Sequence, residues 1–440
     1  MTQRREFLRL SGLGISACAA TGLLPSVAPG MLPPASTPAA AIKVATSDRL
    51  RMAVLTTEWR YRSHAWHMAE RFLAGYPLRG RWHEPRFQVV SAYVDQFPEG
   101  DLSRGRAAEF GFQIYDSVAK ALRCGTDRLA VDGVLLIGEH GTYEQTEFGQ
   151  TKYPRYELFR QATDVFRADG HSVPIFNDKH LSWKWDWAKE MYDLSKELNF
   201  AFDAGSSLPE TWRMPAVDMP LDAQAEELMC VAIGSMDSYD FHALEVIQCM
   251  AERRKGGETG VAAIEGLKGE AVWKAMDGGS WERGGWNPRL FEACLSRSQT
   301  LAQAPTNSHR WPTRQQMQEW VKEPVMYRIE YRDGLRATML LMNGLVGDFT
   351  FAAALRNQPE PLSTLFYLPP NPNVEYSAEL MARAEETLAT GKTRVPVERT
   401  LLTTGLVEAG VRSTALGRRL ETPHLQIRYS APAESQFAQQ

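Results

Sequence analysis

After residue 41 no run is long and apolar enough to cross a bilayer, which excludes a helical membrane anchor within the fold. A cationic excess is missing too. The 49 Lys and Arg against 53 Asp and Glu leave a net charge of −4, without the basic footprint of a nucleic-acid binder. Cysteine is scarce, five in 440 residues, and no CxxC or cysteine–histidine pair has metal spacing. Cys124, Cys230, Cys249 and Cys294 read as buried free thiols, with one disulfide open to them in an oxidising compartment. Internal repeats are absent. What is present is an ordinary globular composition, 44% hydrophobic and 23% charged, long enough for two cores.

The first thirty residues read as an address. Gln3-Arg4-Arg5-Glu6-Phe7-Leu8-Arg9 carries a twin arginine, and an apolar Gly/Ala-rich stretch follows to Pro25, then uncharged Pro/Ala-rich sequence to Ala41. This resembles a twin-arginine export signal and implies a periplasmic or secreted protein, cleaved near Ala41. Ile15-Ser16-Ala17-Cys18 also resembles a lipobox, which makes a lipidated Cys18 the alternative.

Strands and helices alternate from Arg51. Met52–Thr56, Phe87–Val94, Val131–Ile137, Val173–Phe176 and Phe200–Asp203 are apolar runs separated by helical periodicity. Residues 48–207 are therefore expected to form an α/β, Rossmann-like, doubly wound domain. In the first helix Ala65, Met68, Ala69, Phe72 and Leu73 share one face, leaving His64, His67 and Arg71 on a solvated outer face. Trp187 is expected in the core, with Trp183 and Trp185 partly exposed. The second half changes period. Val325, Tyr327, Ile329 and Tyr331 alternate with Met326, Arg328, Glu330 and Arg332, and Asp333-Gly334 turns the chain into a hairpin. Residues 208–430 thus read as an α+β domain with an open, largely antiparallel sheet, and 431–440 as a disordered tail.

Lys179 is the most informative residue. It follows an apolar run in Val-Pro-Ile-Phe-Asn-Asp-Lys-His-Leu-Ser (173–182), at a strand end where open parallel sheets bind ligands. A lysine there can polarise a hydroxyl or move its proton. Glu139 and His140 end the neighbouring strand and face the same crevice as Asp178 and His180. Such acid–histidine pairs suit a divalent metal, but are more often hydrogen-bonded partners.

The order of elements and the residues at the strand ends resemble the Gfo/Idh/MocA family of sugar and cyclitol oxidoreductases. Asp95 stands where that family's acidic residue meets the ribose, and Tyr115-Asp116 resembles its Tyr-x-Asp. Val131-Asp132-Gly133-Val134 resembles its strand before Pro-Asn-x-x-His, and Asn177-Asp178-Lys179-His180 its Glu-Lys-Pro. His242, in Tyr239-Asp240-Phe241-His242, resembles its catalytic histidine. The resemblance implies Lys179, His242 and Asp240 as catalytic residues. It implies NAD or NADP along Thr56, Thr57, Arg60, Asp95, Gly138, Glu139 and His140, and a carbohydrate-like substrate at Asp178, His180, Tyr153 and Arg155. It further implies a homo-oligomer joined through the C-terminal sheet.

Two positions depart from that pattern. The first βα turn, Thr56-Thr57-Glu58-Trp59-Arg60-Tyr61-Arg62-Ser63-His64, has no glycine where GxGxxG lets backbone approach a pyrophosphate. Ser238 replaces an aspartate four residues before the histidine, with Asp237 and Asp240 beside it. The leading expectation is an exported oxidoreductase with tightly held NAD(P). The alternative is a non-redox sugar-binding or scaffold protein that has lost the dinucleotide.

Overall fold

In the computed structural model the described residues are 48–301, 311–369 and 375–439. The export signal, the lipobox cysteine and the expected cleavage site lie outside them. Six parallel strands form the first sheet, in the order Gln113–Tyr115, Phe87–Val94, Leu50–Thr56, Gly133–Ile137, Ile175–Asp178, Phe202–Gly205. Strand order reverses between Leu50–Thr56 and Gly133–Ile137, and a crevice opens beyond the carboxyl ends at such a switch point. The strand before Lys179 starts and ends two residues later than its apolar run suggested. Asn177 and Asp178 belong to it, fully buried and paired with Ala204 and Gly205.

The second sheet has eight strands, in the order Leu420–Glu421, Val261–Lys268, Val325–Tyr331, Arg336–Leu341, Ala225–Ala232, Phe349–Leu355, Leu362–Tyr367, Trp212–Met214. All pairings are antiparallel except that of Ala225–Ala232 with Arg336–Leu341. Helices Asp240–Ala251 and Glu398–Leu416 cover one face through Phe241, Leu244, Leu402 and Leu406. Close approach is built in, because a Cβ on Gly410 would lie 2.4 Å from the Tyr327 ring. The other face, expected to be half exposed, is covered by helices Glu270–Gly278, Pro288–Arg297 and Arg314–Trp320. Trp273, Leu290, Phe291 and Met317 there bury Met326 and Leu340, while Arg328 and Glu330 stay partly exposed, in line with the alternation in Val325–Tyr331. The surface through which an oligomer was expected thus carries the chain's own helices.

Helix Tyr376–Thr390 returns to the first sheet. Its Leu380, Met381, Ala384 and Leu388 share a core with Val54, Phe72 and Phe87, so the sequence boundary at 208 is not a boundary in packing. Residues 431–439 are ordered, contrary to the expected disordered tail. Phe437 is buried under the Arg213 guanidinium, 4.4 Å from its ring, and Ala438 N donates to Glu210 O at 2.9 Å. One aromatic anchor and a backbone bond suffice where periodicity is absent.

The tryptophan assignment also changes. Trp185 packs against both large cores, while Trp187 stacks on Tyr156 at 4.7 Å and is half-buried. The four expected thiols are unpaired, with Cys230, Cys249 and Cys294 buried.

Candidate active site

Lys179 is the first residue past its strand. Its φ of 64° is a left-handed conformation, fixed by Lys179 N donating to Gly205 O at 3.0 Å. Non-glycine residues held this way are uncommon and cluster at functional sites. The side chain turns inward, and Nζ donates to Glu139 Oε1 at 3.0 Å. Oε2 of Glu139 meets the guanidinium of the fully buried Arg155, whose Nη1 lies 3.1 Å from His180 Nε2. Gly138 makes room for this, since a Cβ there would sit 2.5 Å from Arg155 Cγ. Burial alone would raise the Glu139 pKa. Lys179 and Arg155 more than reverse this and hold the carboxyl well below its usual range.

Lys179, Glu139, His140, Asp178 and His242 line one cavity of about 200 Å³. Lys179 comes from the first sheet and His242 from the helix Asp240–Ala251 of the second. His64 and His67, read from the sequence as solvated, line it too. His64 Nδ1 lies 2.6 Å from Asp178 Oδ2, and His67 Nδ1 lies 2.7 Å from Ser377 Oγ on the returning helix. Ser206, Ser238, Tyr239 and Tyr376 complete the polar wall. Burial, followed by the nearby charges, lowers the pKa of three of these imidazoles. His67 and His242 fall well below their ordinary value, and His140 is brought down to about 4. Near neutral pH these shifts hold all three in the uncharged form. Among the described residues, His242 Nδ1 and Asp178 Oδ1 in this lining are buried and find no hydrogen-bond partner. Unpartnered buried polar atoms are rare in native proteins, and each calls for an explanation such as a catalytic role or an ordered water.

The remaining candidates lie elsewhere. Asp240 does not line the cavity. It is buried, accepts from Tyr327 Oη at 2.9 Å, and burial pushes its pKa up to about 6. Asp237 accepts from Thr151 N at 2.7 Å, and burial pushes it up to about 7. Arg155 and His180 stand behind Glu139 as a buried support. Tyr153 lies under the Arg155 guanidinium, 5.0 Å from ring centroid to cation. Of the expected substrate contacts, only Asp178 reaches the cavity. Among the described residues no group of three or more His, Cys, Asp or Glu is arranged to hold a metal.

The expected dinucleotide track is occupied by the chain itself. Thr56 Oγ1 donates to Ile137 O at 3.0 Å, and Thr57 Oγ1 to Glu139 O at 2.6 Å. Trp59 is wholly buried against Phe112, and Arg60 pairs with Glu58 at 2.5 Å. The helix N-terminus that would meet a pyrophosphate is capped. Ser63 Oγ accepts from Trp66 N at 3.3 Å and His140 Nδ1 from His64 N at 3.4 Å. Asp95 accepts from Tyr93 Oη at 2.9 Å and from Tyr143 Oη at 2.6 Å, where a ribose would stand. In this arrangement the residues do not fit a dinucleotide.

No protein-family model and no curated protein sequence matches the chain. Solved structures do. GenD2 from gentamicin A biosynthesis, crystallised in complex with NAD, superposes with a TM-score of 0.53 at 12% identity, covering 89% of this chain and 99% of its own. The apo scyllo-inositol dehydrogenase of Lactobacillus casei gives 0.50 at 8% identity, over 85% and 98%. With its parallel sheet, its large mixed sheet and a crevice between them, the chain has the fold of the Gfo/Idh/MocA-type oxidoreductases.

Proposed function

We propose that this chain is an exported enzyme that works at an alcohol or carbonyl carbon of a carbohydrate or cyclitol. One observation carries this reading: Lys179, at a strand end of the first sheet, and His242, on a helix over the second, line the same small cavity. Lys179 Nζ can donate to a substrate oxygen while the neutral His242 imidazole takes or returns a proton. Seryl, tyrosyl and imidazole groups around them suit a ligand rich in hydroxyls. A scyllo-inositol dehydrogenase with the same fold supports the cyclitol-like class and supports oxidoreduction as the chemistry. As an oxidoreductase, the chain would take up NAD(P) only with the Tyr143–Asp95 and His140–His64 contacts opened, because they close the track in this arrangement.

The second reading is a sugar-binding protein without turnover, favoured by that same closed track. Mass and ultraviolet spectra of small molecules released from denatured, purified protein separate the two. Stoichiometric nicotinamide nucleotide supports the oxidoreductase. Lys179→Ala is expected to abolish turnover of any carbohydrate or cyclitol substrate while the protein still folds. Unchanged turnover in that variant overturns the assignment.

A further inference from the structure

The dinucleotide track is filled by a built set of contacts. Gln96 clamps Thr142 at both its backbone groups, accepting from Thr142 N at 3.0 Å and donating to Thr142 O at 3.1 Å. The next residue, Tyr143, closes on Asp95. His140, at φ 71°, turns its ring to the helix N-terminus. Together these replace ribose and phosphate contacts with internal ones, while the far end of the crevice keeps Lys179 and His242 at an open cavity. The cavity is lined by hydroxyl and imidazole groups from Ser206, Ser238, Tyr239 and His242, which suits a small polyhydroxylated ligand.

We propose that this pocket isomerises an α-hydroxy-ketone or α-hydroxy-aldehyde form of a sugar or cyclitol by proton transfer alone, without a dinucleotide. The inference rests on the carbohydrate reading of the pocket and gives it a reaction that needs no hydride acceptor. The His242 imidazole removes the proton from the hydroxyl-bearing carbon next to the carbonyl. The C–H electron pair becomes the C=C bond of an enediolate, and the carbonyl π pair moves onto oxygen, held by a hydrogen bond from Lys179 Nζ. The hydroxyl proton passes between the two oxygens, and the imidazolium returns its proton to the former carbonyl carbon. Substrate and product have the same composition, and nothing is oxidised overall. An aldose or ketose brings this carbonyl in its open-chain form, whereas a cyclitol must first be oxidised at one alcohol.

The test uses the full mature chain, shown to be free of nucleotide by its absorbance, in D₂O with D-fructose, D-glucose or 2-keto-myo-inositol. Proton NMR is expected to show deuterium entering beside the carbonyl of at least one probe at about 100-fold or more above the protein-free rate. Lys179→Met and His242→Gln should each return exchange to the control rate while the probe still raises the melting temperature. Binding of a probe with no exchange overturns the inference and leaves the carbohydrate reading standing. Exchange only after NAD or NADP is added also overturns it. Failure of every probe to bind or exchange overturns both.

Discussion

Replacing Glu139 by Gln tests the electrostatic base of the site. The substitution keeps the shape but removes the anion shared by Lys179 at 3.0 Å and the buried Arg155 guanidinium. Two cations are then left in a nearly dry wall, and loss of one partner of a buried pair costs about 3–5 kcal/mol. Unfolding entropy scales with length at about 2 cal/mol/K per residue, so for this chain roughly 0.8 kcal/mol corresponds to one degree. The melting temperature should fall by about 4–6 °C in differential scanning calorimetry. Lys179→Met should cost less, because Glu139 keeps Arg155. The double variant should be more stable than the two single losses added together, by about 1–3 kcal/mol. The folded-state pKa of Glu139 is depressed, so its contribution is present above the unfolded carboxylate value near 4.3 and is lost as pH falls through the folded one. A Glu139→Gln melting temperature within about 1 °C of the parent at pH 7, or strictly additive losses, would refute this account.

Asp237 carries the opposite sign. Its pKa is raised to about 7, so the native state holds its proton more tightly and stability falls as pH rises from about 4 to about 7. Asp237→Asn should flatten that fall in denaturation midpoints taken across the window. Gly410→Ala should destabilise by about 1–3 kcal/mol in urea unfolding, since the new Cβ would press within 2.4 Å of the Tyr327 ring. Changing Arg4 and Arg5 together to lysine should leave precursor in the cytoplasm on cell fractionation, and a normal exported yield would remove the export proposal.

The strands and the place of Lys179 were legible because burial on both faces of a parallel sheet writes continuous apolar runs. His242 was legible only through its resemblance to a family motif. His64 and His67 were not, because local helical spacing put them opposite the apolar face. What covers that face is the helix Tyr376–Thr390, with Ser377 bonded to His67 across 310 residues of sequence. The available signal was position: a histidine pair opening the helix after the first strand points toward the carboxyl ends of the sheet. Asp240 was misplaced for a related reason. Spacing set it beside His242, but a helix sends neighbouring side chains to different faces, and Tyr327 holds this one away from the cavity. The closed dinucleotide track was half legible. Absent glycines showed that no tight cradle forms, but not that Tyr143 would bond to Asp95.

The cavity wall draws on segments from His64 to Tyr376, contributed by both sheets and by the returning helix. No short contiguous fragment of the chain contains it. A ligand seated there ties distant stretches together like a rivet through several plates, so its binding energy opposes unfolding of the whole body. At one hundred times its dissociation constant it would add about 2.7 kcal/mol to global stability.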